Sequence, residues 1–211
     1  MDQRVPFTSA SLAGWADQLQ AIARTGLFYT DSDYDRERYL RILGIAADMV
    51  SHVAGATPLE VQANWTRETG YVTPKVGVGA AVIDDGGKLL LLQRPDSGLW
   101  GLPVGWSEVG ETAASGIARE VREETGLLVR PRRILGVYDS RLGGSDSLHH
   151  FYNIVFVCTI EGGTLTRTAE ALDVGYFHRD ALPPLVRHHT PCIVDAFRSR
   201  EEGWTEAAFD P

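Results

Sequence analysis

The hydrophobic residues of the first 70 positions follow a helical period. Apolar side chains recur three and four positions apart, which places them on one face of a helix. The first such stripe consists of Leu12, Trp15, Leu19, Ile22 and Ala23. It is followed by Gly26, a helix-stop signal, and a second stripe covers residues 39–53 after candidate caps at 31–33. A third helix is predicted to open at Thr57, because proline follows it and Glu60 completes a capping box.

After Gly70 the pattern becomes mixed. Strand-like runs cover residues 76–83 and 88–93, on either side of a glycine-containing turn at 84–87. Further strands are expected at 134–138, 149–160 and 174–177, and helices at 112–125 and from Thr190 to about Arg200. We therefore predict an all-helical N-terminal domain, residues 1–70. An α/β (α+β) domain with a mixed sheet between helices would follow, residues 71–205.

Composition narrows the function classes. The net charge of −8 has the wrong sign for a general nucleic-acid binder, and a phosphorylated substrate would need cations or placed arginines to offset it. No run approaches 18 apolar residues, and the N-terminus lacks the pattern of a secretion signal. We expect a cytoplasmic protein without a membrane or DNA partner. Cys158 and Cys192 lie in apolar surroundings and are expected to be buried free thiols.

The segment with the most chemical information is Gly105–Leu127. On a helix, Glu120, Glu123 and Glu124 fall on one face, because positions three and four apart are neighbours there. Three like charges destabilise a bare helix, whereas a hard divalent cation such as magnesium prefers carboxylate oxygens. Most acidic runs are simply solvated surfaces. Arg119, which can orient a carboxylate, and the glycine-bearing loop before the helix are two features that favour a metal site here.

The same segment resembles the Nudix box, G-x5-E-x7-R-E-U-x-E-E-x-G-U, in which U is a bulky apolar residue. The seven fixed positions are all matched, by Gly105, Glu111, Arg119, Glu120, Glu123, Glu124 and Gly126. A chance match is on the order of one in 10⁸ per start position at average residue usage. The resemblance implies the Nudix fold over about residues 71–200 and a magnesium-dependent hydrolase, with manganese as a substitute.

Site roles also follow from this resemblance. It implies that Glu120, Glu123 and Glu124 bind the metal, assisted by the Gly105 carbonyl, and that Arg119 holds a glutamate in place. Glu170 is the best match to the further acidic residue that family members often use. One departure is Val104, because many members carry a second glycine there. If that position required a positive φ, valine would be strained.

A second resemblance covers most of the chain. Residues 11–53, followed by GYVTPKV and LWGLPVGW, are similar to the Nudix subfamily with an added N-terminal helical domain. Members of that subfamily include enzymes of the CDP-choline and ADP-ribose pyrophosphatase types, and the subfamily is dimeric. The resemblance therefore implies a homodimer and a substrate of the form nucleoside diphosphate–X. Neither the nucleoside nor the X group follows from the sequence.

The expected reaction is attack of water on phosphorus, which depends on positioning and charge stabilisation. Metal ions would lower the pKa of the water, and Glu120, Glu124 or Glu170 would accept its proton. Arg94 is a candidate phosphate ligand. Trp100, Trp106 and Tyr152 are candidate stacking platforms for the base, although ordinary packing would also account for them.

The sequence leaves two other classes of function open. One is a catalytically silent Nudix domain that senses a nucleotide and regulates transcription through the N-terminal helices. That segment has six arginines and no lysine, and its acidic residues outnumber them, whereas a DNA reader should present a basic face. The other is an interaction module in which hydrolysis is incidental.

Overall fold

The protein is described by a computed structural model that covers residues 9–68, 70–145, 147 and 149–210. The chain divides into two compact units. Of the described residues, those up to 74 and residues 147, 149 and 150 belong to the helical unit, and those at 75–145 and 151–210 belong to the sheet unit. This mixed α+β organisation, with helices before the sheet, confirms the predicted fold class.

The described part of the helical unit contains the helices α1 (Ser9–Tyr29), α2 (Asp33–Ala54) and α3 (Pro58–Trp65). Their shared core is built around small residues, which allow α1 and α2 to pack closely. It consists of Ala16, Ala23, Leu43, Ala46, Ala47, Val50, Val61 and Trp65. Trp15 and Ile22, which belong to the first predicted stripe, do not point into this core, since they are 43% and 59% exposed. Alanines occupy the inward positions of α1 instead.

The sequence had indicated that α1 ends at Gly26, but this prediction was wrong. The helix continues to Tyr29, and the glycine is needed because a Cβ at this position would lie 2.3 Å from the Tyr39 ring. The signals that predicted the starts of α2 and α3 are confirmed. Ser32 caps α2 by accepting from the amide of Asp35, and Thr57 and Glu60 form the reciprocal capping box at α3. Gly26 is therefore a close-packing position between two helices rather than a stop.

The sheet unit contains a five-stranded mixed sheet and a three-stranded antiparallel sheet. Its elements, in chain order, are β1 (Lys75–Val82), β2 (Leu89–Gln93), β3 (Trp100–Gly101), β4 (Val104–Trp106), α4 (Ala113–Thr125), β5 (Leu127–Asp139), β6 (Phe151–Gly163), β7 (Asp173–Phe177), α5 (Thr190–Glu201) and β8 (Ala208–Phe209). The strand orders are β4-β1-β6-β5-β8 and β3-β2-β7. The central pair, β1 and β6, is parallel.

The predicted hairpin at residues 84–87 is a tight turn that joins two sheets. The amide of Gly87 donates to the Asp84 carbonyl at 3.0 Å, but only Ile83 and Leu89 bridge beyond the turn. β1 and β2 then diverge, because β1 pairs with β4 and β6 whereas β2 pairs with β3 and β7. The short strands β3, β4 and β8 were not predicted, and β5 begins seven residues before the expected position.

Two buried clusters fill the sheet unit. One lies under α4 and includes Val78, Ala80, Val82, Leu90, Ile117, Val121 and Phe156. The other lies under α5 and includes Leu89, Leu91, Leu102, Leu135, Ile193 and Phe197. Alternate residues of β2 thus enter different clusters, as side chains on a strand must. Both cysteines are buried and free, as expected. Within the described residues, no helix is long and apolar enough to cross a membrane.

Candidate active site

Helix α4 carries the acidic residues and is fixed at both ends. Thr112 caps its start by exchanging hydrogen bonds with Ser115. Gly126 ends it in the left-handed conformation, with φ of 75°, which glycine adopts without strain. Between the caps, Ile117 and Val121 are fully buried. The helix is therefore rigidly held, and so are the acidic residues on its opposite, polar face.

Arg119 connects most of the carboxylates of this site. Its guanidinium donates to Glu111 at 3.0 Å and to Glu120 and Glu123 at 2.9 Å each. It also donates to the backbone carbonyl of Trp106 at 3.2 Å. The hydrogen bond to Glu111 is the largest cause of a raised Arg119 pKa and of a lowered Glu111 pKa. Arg119 thus holds three acidic side chains and the β4 backbone in one arrangement.

Glu124 is the most buried acid of the cluster, with 7% of its surface exposed. One carboxylate oxygen accepts from the amide of Val104 at 3.1 Å. Burial, and then the charge of Glu120, raise the pKa of Glu124 to about 8. Burial also raises the pKa of Glu120, although Arg119 opposes that effect. Both acids therefore lie where negative charge is disfavoured until a cation offsets it.

The loop before α4 is shaped around Glu120. The Glu120 carboxyl carbon lies 1.9 Å from the position that a Cβ on Gly105 would occupy, so any larger residue there would displace that carboxyl group. Val104 is part of strand β4, and none of the described non-glycine residues has a positive φ. The valine is therefore unstrained. Its side chain packs against the cluster under α5.

Glu170 is linked to the end of α4 through one residue. The Thr168 hydroxyl donates to the Glu124 carbonyl at 3.1 Å and accepts from the Glu170 amide at 3.2 Å. The charge of Glu170 contributes to the raised pKa values of Glu120 and Glu124. The exposed Glu170 side chain thus belongs to the same electrostatic cluster as the acids of α4. No sequence signal had pointed to Thr168.

The donor set suits a hard divalent cation. All the acidic groups present oxygen atoms, and their mutual repulsion would be relieved by positive charge. Within the described ranges, no three His, Cys, Asp or Glu side chains already form a metal-binding arrangement. The guanidinium of Arg119 is hydrogen-bonded to both Glu120 and Glu123, and Glu124 is bonded to the backbone. Each of these bonds uses one oxygen of its carboxylate, so the other oxygen of each side chain can face a cation without the hydrogen bond being broken.

Arg94 lies within electrostatic reach of the acidic cluster. Its charge lowers the pKa of Glu124, against the stronger effect of burial. The guanidinium is held by Asp96, which accepts from Nε at 3.1 Å and from a terminal nitrogen at 2.6 Å. The sequence had not indicated this partner. Phosphate binding by Arg94 stays a prediction, and it would compete with Asp96.

Two of the candidate stacking residues, Trp106 and Tyr152, lie on opposite faces of the five-stranded sheet, and Trp100 lies in the other sheet. Gly105 faces Glu120, so the next residue, Trp106, points to the opposite face. There the half-exposed Trp106 ring meets Phe151 edge-on at 5.2 Å. Tyr152 follows Phe151 on β6 and therefore points to the same side as α4. Trp100 packs edge-on against Phe177 at 4.8 Å. Trp106 and Tyr152 are thus not brought together by the sheet.

Two regions of the chain match family models. Residues 10–65 match the model described as a UDP-X-like, N-terminal oligomerisation domain. Residues 73–197 match the model of the NUDIX domain. The second match spans the sheet unit from β1 into α5 and includes the acidic helix.

Curated relatives and solved structures resemble the chain over much of its length. A putative ADP-ribose pyrophosphatase of Bacillus subtilis, YjhB, is 33% identical over 178 residues, which cover 83% of this chain and 85% of the relative. An ADP-ribose pyrophosphatase of Methanocaldococcus jannaschii is 36% identical over 131 residues, or 61% of this chain and 76% of the relative. The crystal structure of a UDP-X diphosphatase, 25% identical, covers 97% of this chain and 100% of its own at a TM-score of 0.60.

Substitution of Arg119 by lysine should destabilise the sheet unit. Lysine keeps the charge but cannot bond Glu111, Glu120 and Glu123 together, because it lacks the planar fork of five donors. We expect a loss of about 1–3 kcal/mol in the free energy of unfolding, measured by urea denaturation without added divalent cations. Arg122→Lys, at an exposed position of the same helix, is the control and should leave stability unchanged. Equal midpoints for the two variants would contradict the role given to Arg119.

Proposed function

The chain belongs to the Nudix family, and from this membership we propose that it hydrolyses the diphosphate linkage of a nucleoside diphosphate joined to a second group. It is a Nudix pyrophosphohydrolase by its domain match and its relatives. The observation that carries the proposal is the acidic face of α4, where Glu120 and Glu124 lie beside Glu123 and within reach of Glu170. None of the box carboxylates is missing, which argues against a silent sensor.

Magnesium is the proposed cofactor, with manganese as a substitute. Glu120, Glu123 and Glu124 would hold it, together with the Gly105 carbonyl. When bound, the metal would supply a more acidic attacking water and neutralise charge on the diphosphate oxygens. The oxygen-only donor set and the raised pKa values of Glu120 and Glu124 support this proposal, since both features favour a nearby hard cation.

The side chains of the enzyme have distinct proposed tasks. Arg119 fixes Glu120 and Glu123 relative to the β4 backbone, so that the carboxylates need little rearrangement during the reaction. One carboxylate among Glu120, Glu124 and Glu170 accepts the proton of the attacking water. Arg94 would turn from Asp96 to a phosphate oxygen of the substrate. Its guanidinium would then supply the positive charge that the acidic chain otherwise lacks.

The proposed substrates are nucleoside diphosphates linked to a sugar or to an alcohol. The named relatives act, by their descriptions, on ADP-ribose or on UDP-X, and the sequence resemblance also includes a CDP-choline type. The diphosphate is common to all of these compounds. Trp106 or Tyr152 would stack on the base, but not both on the same base, because they point to opposite faces of the sheet.

A substrate panel tests the reaction and its metal requirement together. UDP-glucose, ADP-ribose, CDP-choline and ATP would each be incubated with the full chain and magnesium, and products identified by mass spectrometry. We expect a nucleoside monophosphate and a phosphorylated X group from at least one of the first three compounds. EDTA should abolish turnover, and added Mg²⁺ or Mn²⁺ should restore it. Full activity after exhaustive chelation, or cleavage of no diphosphate compound, would refute the proposal.

Replacement of Glu124 by glutamine should lower kcat about 10²-fold or more while the fold survives. The amide keeps the size of the side chain but removes a charge from the site, and burial already disfavours that charge in the free protein. Glu161→Gln is the matched control, because Glu161 is exposed on β6 and paired only at the surface with Arg130. Wild-type turnover by Glu124→Gln, with a normal urea midpoint, would show that the site has been misassigned.

We also propose that the chain forms a homodimer through the helical unit. The unit matches an oligomerisation domain, and several of its large apolar side chains are exposed: Trp15, Ile22, Phe28, Tyr29, Leu40 and Ile45. A two-fold contact is the commonest way to cover such a surface. Light scattering on the full chain should give the mass of two subunits at micromolar concentration. A mass of one subunit across that range would refute the dimer, and Ile45→Asp should favour the monomer if Ile45 lies in the interface.

A further inference from the structure

A buried histidine lies behind the loop that feeds the acidic helix. His189 is only 1% exposed and precedes α5, and its neighbours in sequence run alongside β3. The amide of Trp100 donates to the Pro184 carbonyl at 2.9 Å, and the amide of Val186 donates to the Trp100 carbonyl at 2.8 Å. These two bonds form one parallel bridge, between Trp100 and Leu185, and a parallel ladder would continue from Leu102 to Val186.

The His189 ring continues this ladder where the backbone cannot. The Val186 carbonyl, the next acceptor in line, already accepts from the His189 amide at 3.0 Å. The amide of Leu102 donates instead to Nδ1 of His189 at 3.1 Å. The ring lies so close to β3 that a Cβ on Gly101 would be 2.4 Å from Nδ1. A side-chain nitrogen thus replaces a backbone carbonyl as the partner of a buried amide.

The ring is neutral and has one defined tautomer. Because Nδ1 accepts a hydrogen bond, the proton resides on Nε2. Burial, and then the charge of His188, lower the pKa of His189 to about 3, so the acceptor persists at physiological pH. Nε2 is buried and has no hydrogen-bond partner among the described residues. A leucine would avoid that unpaired donor but could not accept from Leu102.

The amide of Leu102, whose hydrogen bond His189 accepts, lies two residues before the amide of Val104, which donates to Glu124. The Pro103 carbonyl accepts from the Ala80 amide at 3.0 Å and ties the loop to β1. The Val104 amide then donates to Glu124, and Gly105 lies against the carboxyl group of Glu120. The path from His189 to Glu124 therefore consists of one side-chain bond and residues 102–104, and Gly105 extends it to Glu120.

We propose that His189 is a positioning residue for the active site. By accepting from the Leu102 amide, it fixes the segment 101–105, and with it the Val104 amide and the Gly105 carbonyl, relative to Glu124 and Glu120. The inference rests on the proposed function, because it assigns His189 a role in that reaction. It does not place His189 in contact with the substrate or with a metal.

The test compares His189→Leu with His189→Asn. Leucine fills much of the ring volume without an acceptor, whereas the asparagine oxygen can occupy the position of Nδ1. For the panel compound that the wild type cleaves fastest, we expect His189→Leu to lower kcat about 10-fold or more and to leave KM within about 3-fold, as loss of a supporting hydrogen bond does. His189→Asn should restore most of kcat. Equal loss in both variants, or no loss in His189→Leu, would overturn the proposal.

Two further measurements do not depend on turnover. Amide hydrogen exchange should become faster at Leu102 and Val104 in His189→Leu and stay near wild type in His189→Asn. Calorimetric titration with Mg²⁺ alone should show affinity about 10-fold weaker in the leucine variant only. If the wild type cleaves no panel compound, the proposed function fails, while exchange at Val104 still decides whether His189 controls the loop. Unchanged exchange at Val104 would overturn that control.

A variant at Gly101 covers the case in which His189→Leu does not fold. Gly101→Ala places a methyl group against the ring and should displace Nδ1 from the Leu102 amide. It should reproduce the faster exchange at Leu102 and Val104 and the fall in kcat. Gly14→Ala is the control, because there is open space around Gly14. Gly98→Ala would not serve, because Gly98 has a φ of 69° and an alanine there would be strained. Wild-type exchange and kcat in Gly101→Ala would count against the proposal.

Discussion

Repulsion among carboxylates is the constraint on which the architecture of the sheet unit depends. Glu120, Glu123 and Glu124 share one face of α4, and burial of Glu124 makes the crowding more costly. One guanidinium offsets part of this repulsion by bonding Glu120 and Glu123 at once. The remaining disfavoured charge would favour the cation that we propose for this site, since a fully neutralised cluster would gain little from binding one.

Such a cluster needs a frame that does not relax. The two caps and the buried stripe of α4 keep the helix in place, and the β4 loop closes on it through Val104 and Gly105. The loop is in turn tied to β1 and to the segment before α5. Acidic side chains, loop and sheet are therefore parts of one hydrogen-bonded arrangement, and a displacement of the loop would change the distances between both buried acids and the backbone.

The sequence predicted those features that are encoded locally. The capping box at Thr57, the helix from residue 112 to 125 and its glycine stop depend on nearby residues, and the structure contains all three. The short strands β3 and β4 have too few residues for a recognisable period, and they form because β2 and β1 offer them free edges. The role of Gly26 depends on Tyr39, on another helix, so its local interpretation as a stop was wrong. The bonds of His189 and Thr168 join residues far apart in sequence and leave no local signal.

The parallel pairing of β1 with β6 has a consequence for how the chain folds. Lys75 pairs with Phe151, and every residue of the acidic helix lies in the long loop that this pairing closes. Closing such a loop costs chain entropy before native contacts repay it, and topologies rich in distant pairings fold slowly. We therefore expect the pairing of β1 with β6, and with it the completion of the acidic site, to be a late event in folding.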